Sequence, residues 1–184
     1  MEHQILPMLV AGPVLFGLLA FFLPRRMQWF VFFLTTILVA AGAYHMYGHW
    51  TWKFQLHLAL APFGKLPLGL GVHQLGWFFV SITAGASALF ALFSLGFNDR
   101  KHSTAVAPLW MMLIGASNGI FLATDWVTFF MVWELMAWTS LLIIGHGRAP
   151  SFKAGIFYYV LSFLGSFAMM LGLWLLFKRA GTFN

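Results

Sequence analysis

The sequence predicts an all-α integral membrane protein with about six transmembrane helices and an extended hairpin or interfacial loop between the second and third. Three observations carry this. Hydrophobic residues make up 61% of the 184 positions and charged residues only 8%, against about a quarter charged in an average soluble domain. Apolar runs recur at close to the ~20 residues that a helix needs to cross a bilayer. The 10 basic residues stand singly or in pairs between those runs, where membrane proteins place them to set orientation.

The first run, residues 5–24, has no basic segment before it and is followed by Arg25 and Arg26. It is expected to be a retained helix rather than a cleavable leader. The second run is 28–46. Residues 47–74 differ in character and mix Trp50, Trp52, Lys53, His57, Pro62, Lys65 and Pro67. Polar and apolar residues partly alternate over 51–60, which reads as a hairpin or interfacial loop. The lysines, His57 and the prolines argue against a further crossing there.

The remaining runs are 75–97, 106–124, 126–144 and 154–177. Small residues stripe three of them: Ser81, Gly85 and Ala88; Gly115 and Gly119 in a GxxxG pair; Ser162, Gly165, Ser166 and Gly172. Small residues let membrane helices approach closely, so a tight bundle is expected. No linker or low-complexity tract divides the chain, which reads as one transmembrane domain over 1–184.

Loop charges suggest an orientation. Arg25, Arg26, Arg100, Lys101, Arg148 and Lys153 fall on one side, and Lys53, Lys65, Lys178 and Arg179 on the other. The larger set is expected to face the cytoplasm or its equivalent, leaving both termini outside. Charge scattered in this way fits a bilayer and not a nucleic acid. The absence of cysteine excludes a disulfide framework, a thiolate metal site and an iron–sulfur cluster held by this chain.

One residue stands apart. Glu134 lies in the middle of the run from Trp126 to Ile144. A carboxylate at bilayer depth costs about 3 kcal/mol on insertion scales, so such residues usually face a protein interior or a water path. Helical spacing puts Glu134 on a face with Val127, Phe130, Met131, Ala137, Trp138 and Leu141. The functional reading is a proton or ion relay. The plainer reading is a neutral acid that hydrogen-bonds helices together.

Candidate companions are few. Asn118, Ser117, Ser162 and Ser166 are polar groups inside neighbouring spans and are candidates to line a hydrated path. Singly, each is more often a helix–helix hydrogen bond. His146 ends the fifth span and is a candidate to pass protons between the surface and Glu134. Asp125, at the joint before that span, reads as a helix N-cap. The seven histidines fall mostly in loops or at span ends, and only His45 and His49 are spaced i, i+4 near a span. No cofactor and no metal site is therefore expected.

The stretch 124–145, TDWVTFFMVWELMAWTSLLIIG, resembles the fifth helix of the antiporter-like subunits of respiratory complex I, membrane-bound hydrogenases and Mrp-type cation/proton antiporters. It shares their Asp-led, Phe-rich sequence running into Trp133-Glu134-Leu135. The stretch 154–167, AGIFYYVLSFLGSF, is similar to the helix that follows, with Tyr158, Ser162, Leu164, Gly165 and Ser166. The resemblance spans about 106–177. It implies that Glu134 is the family's intramembrane glutamate. Two departures accompany it. The lysine that usually pairs with this glutamate lies on a seventh helix, beyond the six seen here, and a lysine often found early on the sixth helix corresponds to Phe157. The resemblance therefore implies partners: other membrane subunits of a respiratory, hydrogenase or Mrp-type complex, including a chain that supplies the lysine-bearing helices.

Two functions follow as expectations. One is an antiporter-like subunit that adds a proton or cation path to a larger redox-driven or cation-exchanging complex, without redox chemistry of its own. The other is a non-pumping structural or adaptor subunit of such a complex. A quinone-handling protein is a weaker third reading, resting on aromatic residues that bilayer interfaces also require. The expected location is an energy-transducing membrane, of a prokaryotic cell or of a mitochondrion.

Overall fold

A computed structural model describes residues 4–60, 64–96, 105–146 and 151–180. Six helices and one hairpin follow in chain order. The helices are α1 (Ile5–Ala20), α2 (Arg25–His45), α3 (Gln74–Gly96), α4 (Val106–Leu122), α5 (Trp126–Gly145) and α6 (Ser151–Ala180). Strands β1 (Lys53–Leu60) and β2 (Gly64–Gly71) lie between α2 and α3. The chain is thus a helical membrane protein. α2, α3, α5 and α6 are long and apolar enough to cross a bilayer, and α1 and α4 are apolar and shorter. Arg100, Lys101 and Arg148, which weigh in the orientation argument, lie outside the described residues.

Hydropathy blurs two boundaries. α1 closes at Ala20 rather than at residue 24, because the chain turns through Leu23 to Ala20 O (3.0 Å) into extended Pro24, the N-cap of α2. A proline fixes φ and restricts the residue before it, so it separates helices that apolarity alone would run together. α6 extends past the expected 154–177 at both ends.

Residues 47–74 form a hairpin and not a shapeless loop. β1 and β2 pair antiparallel from Lys53↔Gly71 to Leu60↔Gly64. Pro67 stands two residues from Gly69, whose N–H and carbonyl point away from β1 to Asp125 and Thr124, so it falls where no ladder hydrogen bond is lost.

α4 is the hub of the bundle, packing against α1, α2, α3 and α5. It buries Leu109, Met111, Ile114, Asn118 and Leu122. Its contact with α1 is very close. A Cβ on Gly115 would lie 2.5 Å from Val10 O, and one on Gly17 would lie 2.6 Å from Pro108 O. Gly119 is wedged between Val10 and Val132, so the GxxxG pair touches α1 and α5 together. Gly85, Gly165 and Gly172 differ: nothing described lies within 4 Å of where their Cβ would be. Among the described elements α6 packs only on α5, and most of its surface is exposed.

Aromatic residues cluster at the hairpin end. Tyr47, Trp50 and Trp77 form mutual ring contacts, and Trp77 Nε1–H donates to Ala43 O (2.8 Å). Amphipathic rings of this kind collect where a bilayer meets water.

Candidate functional site

The site is built on α5, whose start is fixed by Asp125. Its Oδ1 accepts from the backbone N–H of Thr128 (2.8 Å), the N-cap expected from the sequence. Glu134 lies nine positions further on, about 14 Å along the axis at the usual helical rise. It faces α6 and opens onto a cavity of about 100 Å³ lined also by Ala137, Trp138, Tyr159, Ser162, Phe163 and Ser166. Oε1 of Glu134 is buried and has no hydrogen-bond partner among the described residues.

An unpartnered oxygen in a space of this size has a physical consequence. Buried polar atoms are nearly always satisfied by protein or by ordered water. The cavity exceeds the ~10–15 Å³ that one water probe needs, and a water there requires two to four polar partners. Glu134, Trp138, Tyr159, Ser162 and Ser166 are the lining residues whose side chains carry polar groups. The cavity is therefore chemically suited to hold water against the carboxyl group.

A second cavity, of about 380 Å³, continues along the same α5–α6 seam and is lined by Leu141, Leu142, Gly145, His146, Gly155, Ile156 and Tyr159. Tyr159 lines both spaces. Its ring packs on Trp138 (5.2 Å between centroids) and on Phe163 (6.2 Å). His146 ends α5 and is exposed, with Nδ1 2.6 Å from Leu142 O. A carbonyl oxygen only accepts, so Nδ1 donates in this contact.

Of the other candidates, Asn118 and Ser117 are placed elsewhere. Asn118 is fully buried and donates from Nδ2 to Leu9 O (3.1 Å) across α4 and α1, away from the Glu134 cavity. Ser117 meets Met136 Sδ at 4.0 Å between α4 and α5. Ser162 and Ser166 line the Glu134 cavity, and His146 lines the second cavity, which shares Tyr159 with it. Tyr159 was not singled out from the sequence. Its side depends on how α6 is rotated against α5, which a single apolar helix does not reveal.

Cations and histidines complete the inventory. Lys178 Nζ lies 4.4 Å above the Trp174 ring near the end of α6. Phe157, in the position where a lysine is often found, is 71% exposed. His45 and His49 pack edge to face, and Trp52 stacks on His49 at 4.2 Å. Among the described residues no three His, Asp or Glu side chains converge as metal ligands.

Residues 123–184, which hold α5, Glu134 and α6, match the family described as NADH:quinone oxidoreductase/Mrp antiporter, transmembrane region. The likeness to antiporter-like membrane subunits is thus carried by this segment. An uncharacterised protein of Mycobacterium tuberculosis is 34% identical over 130 residues, covering 64% of this chain and 19% of the relative. A putative antiporter subunit, mnhD2, of Staphylococcus epidermidis is 29% identical over 126 residues, covering 67% of this chain and 25% of the relative. The chain thus spans about a fifth to a quarter of the length of these relatives.

Two solved assemblies share its fold. A chain of the membrane-bound sulfane sulfur reductase, an archaeal respiratory membrane complex, superposes with TM-score 0.81 at 21% identity, over 98% of this chain and 29% of that one. A chain of the Mrp complex from Dietzia sp. DQ12-45-1b superposes with TM-score 0.81 at 17% identity, over 100% and 20%.

Proposed function

We propose that this chain is an antiporter-like membrane segment that contributes a proton or cation path to a larger redox-driven or cation-exchanging complex, with Glu134 as the exchangeable group. One observation carries the reading: a carboxyl oxygen, buried and unpartnered, at the wall of a hydroxyl-bearing cavity between α5 and α6. An ionisable group at bilayer depth is held there against its insertion cost only where it does something. Ser162 and Ser166 solvate the site, and His146 exchanges protons at the far mouth of the seam. Asn118 acts as a helix–helix bond.

The partners in this reading are other membrane subunits of a respiratory, hydrogenase or Mrp-type complex. The lysine-bearing helices that complete the path are supplied from outside these 184 residues. Relatives in bacteria support a cell membrane of prokaryotic type. All six helices cross it, with both termini outside.

Phe157 in place of a lysine favours a second reading, a non-pumping scaffold. Glu134→Gln decides between the two. It removes the exchangeable proton with almost no change in volume, so assembly survives. Proton translocation by the assembled complex falls sharply under the relay reading, and Glu134→Asp retains part of it. An assembled Glu134→Gln complex that pumps at the normal rate would leave the scaffold standing.

A further inference from the structure

The hairpin and the start of α5 are tied together by an unusually complete set of hydrogen bonds. Gly69 in β2 donates its N–H to Asp125 Oδ2 (2.6 Å) and to Thr128 Oγ1 (2.9 Å). Its carbonyl accepts from Thr124 N–H (3.0 Å). Thr128 Oγ1 in turn donates to Asp125 Oδ2 (2.7 Å). Leu70 bridges to Ala123 beside it. The two partners are 56 residues apart in sequence.

Each component is chemically specified. Asp125 is only 7% exposed, and its carboxylate is offset by three donors and by the positive end of the α5 dipole. Gly69 admits no side chain, since its Cβ would lie 3.0 Å from Asp125 Oδ2 and closer still to Thr124 Oγ1. An N-cap needs only the bond to Thr128 N–H. The bonds to Gly69 are additional, and they lock both the height and the rotation of α5 against the hairpin.

We propose that this clip is a positioning device for Glu134, with Asp125 and Gly69 as its positioning residues. The reason is geometric. A helix transmits rotation rigidly, and a slip of one residue turns every later side chain by about 100°. Such a slip at Asp125 swings Glu134 off the α6 side and out of the cavity it shares with Ser162 and Ser166. The inference deepens the relay reading and rests on it for its functional meaning, while the placement of Glu134 is measurable without transport.

The test uses the full chain in its native complex and exploits its lack of cysteine. Asp125→Asn keeps an oxygen to cap Thr128 N–H but turns an amino group toward Gly69 N–H, so it breaks the clip and spares the cap. Gly69→Ala attacks the same contact from the hairpin. Gly85→Ala, in open space, is the control. Two readouts report on the cavity: the rate at which a small maleimide modifies Ser162→Cys, followed by mass spectrometry of this chain, and the infrared absorption of the Glu134 carboxyl group, assigned by its loss in Glu134→Gln.

Both clip variants are expected to raise the modification rate about tenfold, equivalent to about 1.4 kcal/mol and within the range for a hydrogen bond to a charged group. Both shift the Glu134 absorption, and the control does neither. Assembled clip variants with parental rate and absorption would overturn the proposal, as would faster amide exchange confined to residues 125–129. If Asp125→Asn does not accumulate, Gly69→Ala decides alone. If neither accumulates while Gly85→Ala does, the clip holds the fold and not the site, and the proposal fails. Normal transport by Glu134→Gln defeats the relay reading separately, and a shifted absorption still supports the clip.

Discussion

Pro13 and Asn118 are expected to be energetically coupled, although they lie on different helices. Pro13 sits inside α1 and has no N–H, so it cannot donate to the carbonyl four residues earlier. That carbonyl is Leu9 O, the acceptor of the Asn118 Nδ2–H bond at 3.1 Å. Asn118 thus satisfies a group that Pro13 leaves open, in a site with no solvent access. Interhelical hydrogen bonds in membranes average about 0.6 kcal/mol and reach about 1.7, and an orphaned buried acceptor costs about 1–3. Asn118→Leu, similar in volume, should therefore destabilise the α1–α4 contact by about 1–2 kcal/mol. In a Pro13→Ala background α1 supplies its own donor, and the cost should fall by about 1 kcal/mol. Losing the unpartnered Asn118 Oδ1 contributes equally in both backgrounds and cancels. Native-state amide exchange over α1 and α4, in parent, singles and double, measures the coupling within the assembled protein. Additivity within about 0.3–0.5 kcal/mol would refute the reasoning.

Other outcomes follow from the same geometry. Gly115→Leu should prevent accumulation of the folded chain, because its side chain collides with Val10 O on α1; Gly85→Leu, with open space, should not, and immunoblots of membranes compare them. Tyr159→Phe keeps the ring between the two cavities and loses the hydroxyl; proton uptake by reconstituted vesicles should fall about tenfold, short of the ~10²–10⁴ of a group that itself transfers the proton, with assembly unchanged. Single cysteines replacing Ser103 and Ala149 should resist an impermeant thiol reagent applied from outside, and labelling of both would reverse the orientation inferred from the loop charges.

Glu134 was conspicuous in the sequence because a charge in an apolar run is expensive wherever the helix sits. Its neighbours at Ala137 and Trp138 followed from helical spacing. Ser162 and Ser166 were visible as polar groups in a span, but Tyr159 and Phe163 were not marked out, since they enter through the rotation of α6, whose residues are mostly apolar. Asn118 was visible as a polar residue in a span, but its acceptor on α1 depends on the crossing that Gly17 and Gly115 permit. The hairpin was legible only as an alternative to a loop, because partial alternation with prolines satisfies both.

The sequence by itself determined the solvent, the helical class, the break marked by Arg25 and Arg26, the cap at Asp125 and the one costly carboxyl group. These are local matters, set by transfer free energy and by backbone groups a few residues apart. Tertiary structure alone decided which way Glu134 faces, that its cavity meets the His146 seam at Tyr159, and that Gly69 grips the start of α5. In an apolar bundle, hydrophobicity no longer distinguishes one helix face from another. Close glycine contacts and a few long-range hydrogen bonds make that choice, and both exist only once the helices have met.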